Sequence, residues 1–302
     1  MMNGWLIINR FLYNDKFNDI YERLTMAAEK AGCTLKLLTN ADILVRIDTG
    51  ELIISDMSLD QPDFIIFWDK DIRLAHALEK LGFRLYNRAD AIKACDDKSL
   101  TLKLLSGHVR MPKTFNVPFT YEHLGYTDTG FLDMAEEQLG YPFVLKECFG
   151  SFGEQVYLVN SREECEAALQ KCGGRPSIIQ EFIRCPWKGS RDIRINVVGN
   201  RCVAAMLRSN EDDFRANITN GGHAAPYTPT SAECDMALQA CRVLGLDFAG
   251  VDIMFDMNRN PVLCEVNSNA HFKSIYDCTG INVADAIIEH IISDTLAHER
   301  NA

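Results

Sequence analysis

The chain predicts a mixed fold, α/β at its N-terminus and α+β beyond. Residues 5–9 (WLIIN), 33–38 (CTLKLL) and 64–68 (FIIFW) are short apolar runs of strand character. Between the first two, Phe17, Ile20, Tyr21, Leu24 and Ala28 recur at helical spacing. That order, strand, helix, strand, implies a partly parallel sheet. After residue 142 the pattern changes to strands in adjacent pairs with helices between them, as in an α+β unit. With 302 residues, 47% of them hydrophobic, the chain buries a large core divided among two or three lobes.

The first helix ends at Gly32, and a second, from Ile72 to Leu81, stops at Gly82. A third is expected from Ala94 to Ser106. Pro112, Pro118 and the Gly/Thr/Asp-containing stretch to Gly130 read as hinge and loop. PFVLKE (142–147), a small Gly/Ser loop and QVYLV (155–159) are strand, turn, strand, and Ser161 with Glu164 forms an S-x-x-E capping box for the next helix. SIIQEFI (177–183) is a strand. DIRINVV and RCVAAMLR pair around Gly199-Asn200, followed by a polar loop over 209–227, a helix over 231–244, a hairpin ending near 267 and a closing helix over 282–298. No internal repeat and no low-complexity tract occurs.

Several function classes are excluded at this level. The net charge of −11 disfavours a broad nucleic-acid surface. No apolar run approaches the roughly 20 residues of a membrane span, and MMNGWLIINR lacks the basic start and cleavage site of a signal peptide, so a cytoplasmic location is expected. The cysteines number 11, an odd count without a CxxC pair, and Cys33, Cys148, Cys202 and Cys264 sit in or beside apolar runs, as reduced thiols do. The 7 histidines show no zinc spacing.

The most informative stretch is GVDIMFDMNRNPVLCEVN, two strands joined by Met257-Asn258-Arg259-Asn260. Alternation puts Val251, Ile253 and Phe255 on one face and Asp252 and Met254 on the other. If the turn closes 256 against 261, 254 opposes 263 and Asp252 lies across from Glu265, with β-carbons roughly 5 Å apart. Carboxylates so placed repel unless a positive group sits between them. Mg²⁺ is characteristically held by one or two carboxylates plus substrate phosphates, and Asn267 adds an amide oxygen on the same face. A solvated hairpin face carrying surface charge is the alternative.

Lys146 stands in an apolar strand just before Cys148-Phe149-Gly150-Ser151-Phe152-Gly153. A buried ammonium needs a partner, and a loop with two glycines brings backbone N–H groups close to phosphate oxygens. The loop matches neither GxxxxGK[ST] nor GxGxxG, and a plain hairpin turn is the competing reading. Gln180-Glu181-Phe182-Ile183 ends a strand where two lobes join, a setting for an adenine ring or for an edge strand. Arginines crowd 184–215: Arg194 leaves the strand opposite the core, Arg208 ends its paired strand, and Arg184 and Arg201 read as surface charge. Arg215 and Asn217 lie in a loop rich in glycine and acids.

In order, Lys98 on a helix, Lys146 before a Gly loop, QEFI, DIRINVVG, DFRAN, AGVD and EVN resemble the ATP-grasp superfamily and, within it, the RimK-type ligases that join glutamate to an amine. The resemblance runs from about Ala94 to Ile291. It implies an N-terminal α/β pre-ATP-grasp lobe (1–93) and an ATP-grasp domain (94–302), the latter with a small lid subdomain at about 110–180 and a metal-binding α+β lobe at about 181–302. It implies that Lys98 and Lys146 hold ATP phosphates beneath Gly150, Ser151 and Gly153, that Glu181, Phe182 and Ile183 form the adenine and ribose hinge, and that Asp192 contacts nucleotide. Arg215 and Asn217 match a segment closing over the triphosphate. Asp252, Glu265 and Asn267 match the Mg²⁺ ligands, with Mn²⁺ as a substitute, and Arg208 and Arg194 match residues that hold the carboxylate or its acyl phosphate.

Two departures stand out. Family members commonly follow E-V-N with A-S-P-G, whereas this chain has Ser268-Asn269-Ala270-His271-Phe272, near the substrate; His271 is then either an acid or base or a structural histidine. Gln155 replaces a glycine common in the phosphate loop. The implied activity is an ATP-dependent carboxylate–amine ligase, adding glutamate or another amino acid to a protein, peptide or small-molecule acceptor through an acyl phosphate. Its partners are amino-acid, amine and carboxylate substrates, with no membrane or direct nucleic-acid partner; related ligases often form homo-oligomers. A kinase is disfavoured because HRD and DFG are missing. A catalytically silent ATP-binding sensor is the alternative from another class.

Overall fold

The computed structural model describes residues 2–12, 15–55, 60–150, 153–218 and 221–299. At the N-terminus β1 (Asn3–Ile8), α1 (Asp15–Lys30) and β2 (Thr34–Thr39) form the expected strand–helix–strand unit. A short hairpin of β3 (Ile43–Val45) and β4 (Leu52–Ile54) follows, then β5 (Phe64–Trp68), α2 (Ile72–Lys80) and β6 (Leu85–Tyr86). The sheet order is β2-β1-β5-β6, parallel throughout rather than in part. Helix α1 buries Ile20, Leu24 and Ala28 on one face against Leu6, Ile8 and Ile66, while α2 buries Leu74 and Leu78 on the other against Ile7, Ile65 and Phe67. The β3–β4 hairpin escaped the sequence reading because three-residue strands are too short to display alternation.

The helix expected over 94–106 is two helices, α3 (Ala89–Asp96) and α4 (Lys98–Leu105). Asp97 interrupts them: its backbone is extended, and its carboxylate accepts from the N–H groups of Ser99 and Leu100, satisfying donors a helix start leaves open. The break matters because it makes Lys98 the first residue of α4.

Next come β7 (Thr114–Asn116), α5 (Phe131–Leu139), β8 (Phe143–Glu147), β9 (Val156–Val159), α6 (Arg162–Cys172) and β10 (Ser177–Glu181). They make an antiparallel sheet, β7-β10-β8-β9, around Phe143, Leu145, Cys165, Leu169 and Ile179. α5 has no counterpart in the sequence reading. The box expected at Ser161 is half formed: the Ser161 hydroxyl accepts from the Glu164 N–H at 3.3 Å, but the Glu164 carboxylate takes the Asn160 N–H instead.

The last unit comprises β11 (Ser190–Val198), β12 (Arg201–Asn210), β13 (His223–Pro226), α7 (Ser231–Leu244), β14 (Phe248–Phe255), β15 (Pro261–Asn267), α8 (Lys273–Thr279) and α9 (Val283–Glu299). Its antiparallel sheet runs β13-β12-β11-β14-β15, so the loop expected over 209–227 is partly strand, and Arg208 lies inside β12 rather than at its end. A full capping box starts α7 at Thr230 and Glu233. Helix α7 packs on one face through Ala237, Cys241 and Leu244, and α9 on the other, where its core merges with that of α1 and β1.

Asn87 locks the first sheet to the last. Its Nδ2 donates to the carbonyls of Phe248 and Ser268, each at 2.9 Å, and its Oδ1 accepts from the N–H groups of Asp247 and Phe248. A fully buried amide with every group paired fixes both strand β14 and the loop leaving β15.

Candidate active site

The β14–β15 hairpin is where register decides function. Phe255 pairs with Pro261 and Met254 with Val262, one residue away from the expected pairing, but a bulge between Asp252 and Ile253 restores Asp252 opposite Glu265. Cys264 is the extra residue of that bulge. Around it Leu263 packs with Ile253 and Val266 on the α7 side while still bordering the cleft, and Cys264, expected on the opposite face, borders the cleft as well with Glu265 and Asn267. Burial pushes the Cys264 thiol up to about 12.

The predicted repulsion between the two carboxylates is answered by three cations. Asp252, 3% exposed, accepts from Arg194 Nε and Nη2 at 2.7 and 2.6 Å, and Arg208 Nη2 lies 3.0 Å from its Oδ2. Arg208, also 3% exposed, donates its Nε and Nη2 to Asp192 at 2.6 and 2.7 Å. Strand pairing dictates this quartet: Arg194 is the β11 partner of Asp252 on β14, and Asp192 is the β11 partner of Arg208 on β12. Burial alone would raise the Asp252 carboxyl, but Arg194 and Arg208 overcome it and hold it below its ordinary value. For Asp192 burial prevails over Arg208, and its carboxyl is raised. Two guanidiniums against two carboxylates leave the quartet with no net charge.

Glu265 is different. A third exposed (33%), it has Lys98 Nζ at 3.8 Å from its Oε1. The same ammonium donates to the Gly150 carbonyl at 3.2 Å, so the helix start at Lys98 ties the glycine loop to the hairpin. Asn267, at the end of β15, has its Nδ2 buried without a hydrogen-bond partner among the described residues. The same residues contain no cluster of three or more His, Cys, Asp and Glu able to hold a metal, so the candidate donors are two carboxylates and an amide. That set matches the sparse protein ligation of Mg²⁺, with Glu265 and Asn267 as the open members and Asp252 already shared between arginines.

Lys146 donates to Gln180 Oε1 at 2.7 Å, the partner its apolar strand required. Gln180, buried and polar in SIIQEFI, belongs to the strand end read as a setting for an adenine ring, but its part as the partner of Lys146 is not in that reading, although it carries the same signal of a polar group in an apolar strand. Gly150 has φ 134°, and a β-carbon there would meet Gln155 Oε1 at 2.3 Å, so Gln155 covers the loop where a glycine is common. Ser151 lies outside the described residues. Arg215 donates to the Gly153 carbonyl at 2.7 Å and to Asp213, drawing the 211–217 segment onto the glycine loop; Asn217 lines the same cleft. Glu181, Phe182 and Ile183 line it too, but the Glu181 carboxylate accepts from the Lys113 N–H at 3.1 Å, and Phe182 meets Phe214 edge-on.

Every predicted site residue that the structure describes, except Asp252, borders one cleft of about 980 Å³. Its lining extends from residues 181–183 through Lys146, Lys98 and Glu265 to residues at the carboxyl ends of the N-terminal strands and the loop after β15, namely Asn9, Asp69, Asn269 and His271. A cavity at the top of the usual range for small-molecule sites has room for a nucleotide and a second ligand. Among the described residues no helix is long and apolar enough to cross a membrane.

Comparison with known proteins agrees with this geometry. The model of the RimK-like ATP-grasp domain matches residues 95–291. The uncharacterized protein MG012 homolog of Mycoplasma pneumoniae is 29% identical, over 90% of this chain and 96% of its own. A probable alpha-L-glutamate ligase of Syntrophotalea carbinolica is 35% identical over 72% of this chain and 70% of its own. Among solved structures, the ATP-grasp ligase PsnB, complexed with a phosphomimetic variant of a minimal precursor, Mg and ADP, superposes with a TM-score of 0.70 at 13% identity, covering 98% of this chain and 99% of that one. The chain therefore belongs to the RimK-like ATP-grasp family and is an ADP-forming ligase that makes an amide bond.

Proposed function

We propose that the chain activates a carboxylate with ATP and joins it to an amine, with glutamate or another amino acid as one substrate and an amino acid, peptide or protein end as the other. A substrate carboxylate oxygen attacks the γ-phosphorus and ADP leaves. The amine then attacks the acyl carbon, loses a proton, and phosphate departs. The observation that carries this reading is the juxtaposition of Lys98, Glu265 and the Arg194–Asp252–Arg208–Asp192 quartet along one cleft wall.

Because the quartet is neutral, compensation of a triphosphate falls to Lys98, Lys146, Arg215 and a divalent cation. Mg²⁺, or Mn²⁺ in its place, held by Glu265, Asn267 and a shared oxygen of Asp252, would supply charge neutralisation on phosphate oxygens. Arg208 and Arg194 are fixed by their carboxylates before substrate arrives, and oriented charge of this kind needs no reorganisation during reaction. Arg208 and Arg194 hold the carboxylate as it becomes an acyl phosphate. The hinge at Glu181, Phe182 and Ile183 takes the adenine; with the Glu181 carboxylate engaged by Lys113, backbone groups and the Phe182 ring carry that contact. Asp192 acts through Arg208. Residues 110–180 serve as the lid, 181–302 as the lobe with the cation site, and 1–93 as the lobe facing the second substrate.

The test is ADP and phosphate release with Mg-ATP across single amino acids and pooled amine acceptors, with product masses recorded. Amino-acid-dependent ADP and a product heavier than its acceptor by one amino-acid residue are expected. Glu265→Gln should lower turnover by about 10²–10³-fold while leaving thermal unfolding unchanged, since that side chain is partly exposed and lightly bonded. ATP binding without amine-dependent ADP in any pool would contradict the reading.

A further inference from the structure

The N-terminal sheet brings its own polar groups to the cleft. Its connections diverge: β1 passes through α1 to β2 on one side, and β5 passes through α2 to β6 on the other. The crevice beyond the carboxyl ends of β1 and β5 is thus the topological switch point, the place where open parallel sheets accept ligands. The residues at that point are Asn9, directly after β1, and Asp69, directly after β5.

They are bonded to each other. Asn9 Nδ2 lies 3.1 and 3.2 Å from the two oxygens of Asp69, and the Lys70 N–H donates to the same carboxylate at 2.7 Å. The carboxylate is 7% exposed, borders the cleft and has no ion-pair partner among the described residues. The neighbouring ammonium of Lys70 is engaged by Asp96 instead. From the opposite side, Asn269 Nδ2 donates to the Asp69 carbonyl at 3.2 Å, which fixes the orientation of the amide, since a flip would set two oxygens together. Asn269 Oδ1 is left buried with no hydrogen-bond partner among the described residues. So a carboxylate with no cation against it and an amide oxygen with no partner belong to two residues that are bonded to each other and line the same cleft. Both are acceptors. Asn269 follows Asn267 by two residues, which places this pair beside the reacting centre, and the Phe17 ring meets His271 at 4.4 Å alongside.

We propose that Asp69 and the amide oxygen of Asn269 form the subsite for the amine substrate, receiving its primary amino group as the ammonium that an α-amino acid or a peptide amino terminus presents, with the proton shed before attack passing to the Asp69 carboxylate. The contrast in charge along the cleft supports the assignment: lysines and arginines line the phosphate end, whereas this end offers hydrogen-bond acceptors and negative charge. The departure from A-S-P-G then has a chemical meaning, because Asn269 supplies both the tether to Asp69 and the free acceptor. The assignment rests on the ligase reading and refines it.

Steady-state kinetics of the full chain with Mg-ATP and its amine substrate tests it. For Asp69→Asn, the KM for the amine should rise on the order of tenfold or more, the loss expected for one charge-assisted hydrogen bond, with the KM for ATP within about twofold of the parent. Asn269→Ala, which leaves the Asp69 carboxylate in place, should show a smaller rise in the same constant and serves if Asp69→Asn does not fold. Unchanged amine KM in the folded variants, or an equal rise in the KM for ATP, overturns the subsite. A parent chain that releases no ADP in response to any amine overturns the ligase reading itself, a result seen without either variant.

Discussion

In the C-terminal sheet, Arg194, Arg208, Asp192 and Asp252 hold one another across three adjacent strands, and every charge is answered within 3.0 Å. At the carboxyl end of the central strand β5 of the N-terminal sheet, Asp69 is held by a neutral amide and a backbone N–H, with no cation against it among the described residues. Both carboxylate sites are buried, yet the first is electrically closed and the second open. A closed quartet presents guanidinium groups in fixed positions, which in the proposed reaction would meet changing phosphate charge without rearranging. An open carboxylate costs stability while it waits for a partner, and burial accordingly raises the Asp69 carboxyl above its ordinary value.

The comparison is broken most severely by Arg208→Met. Removing one member of a buried ionic group should cost about 3–5 kcal/mol, because Asp192 and part of Asp252 lose their compensation; urea unfolding measures it. Gly150→Ala comes next. With φ at 134° and Gln155 in the way, a side chain there should cost about 1–3 kcal/mol, read as weaker ATP binding by titration calorimetry, and Gln155→Gly in the same chain should recover part of it.

The pH dependence sharpens the contrast. Asp252 titrates lower when folded than when unfolded, so its contribution to stability is complete above the unfolded value of about 3.9 and is lost as pH falls through the folded value. Asp69 is shifted the other way, so its penalty is present at neutral pH and fades as the pH drops through its folded value. Unfolding free energy measured from pH 7 to pH 3 should therefore fall less steeply in Asp252→Asn than in the parent, and more steeply in Asp69→Asn. The smallest effect belongs to Arg201→Ala, whose pair with Glu289 is exposed: about 0–1 kcal/mol, with ATP turnover unchanged.

The half of the cleft around Lys146 and Glu265 is legible because its residue types conflict with their surroundings. Lys146 in an apolar strand and Asp252 opposite Glu265 each demand a partner, and local pairing supplies the rest. The bulge at Cys264 shows the limit: the right opposition emerged although the turn-end register was one residue off, since alternation alone cannot register an extra residue. The neutral quartet was not foreseen either. The resemblance assigns Arg194 and Arg208 to the carboxylate, Asp192 to the nucleotide and Asp252 to the metal, and only the β12-β11-β14 order brings the four together. Asn9, Asp69 and Asn87 gave no sequence signal, because a polar residue after a strand is ordinary until the sheet order shows what lies beyond it.

Activation through an acyl phosphate fixes the fate of one oxygen. With the reacting carboxylate labelled with ¹⁸O, a single-turnover reaction with Mg-ATP and amine should deliver one labelled oxygen per turnover into inorganic phosphate, since the carboxylate oxygen that attacks the γ-phosphorus leaves with it. Label retained wholly in the organic product, or a stable phosphorylated product in place of the amide, would contradict activation through an acyl phosphate.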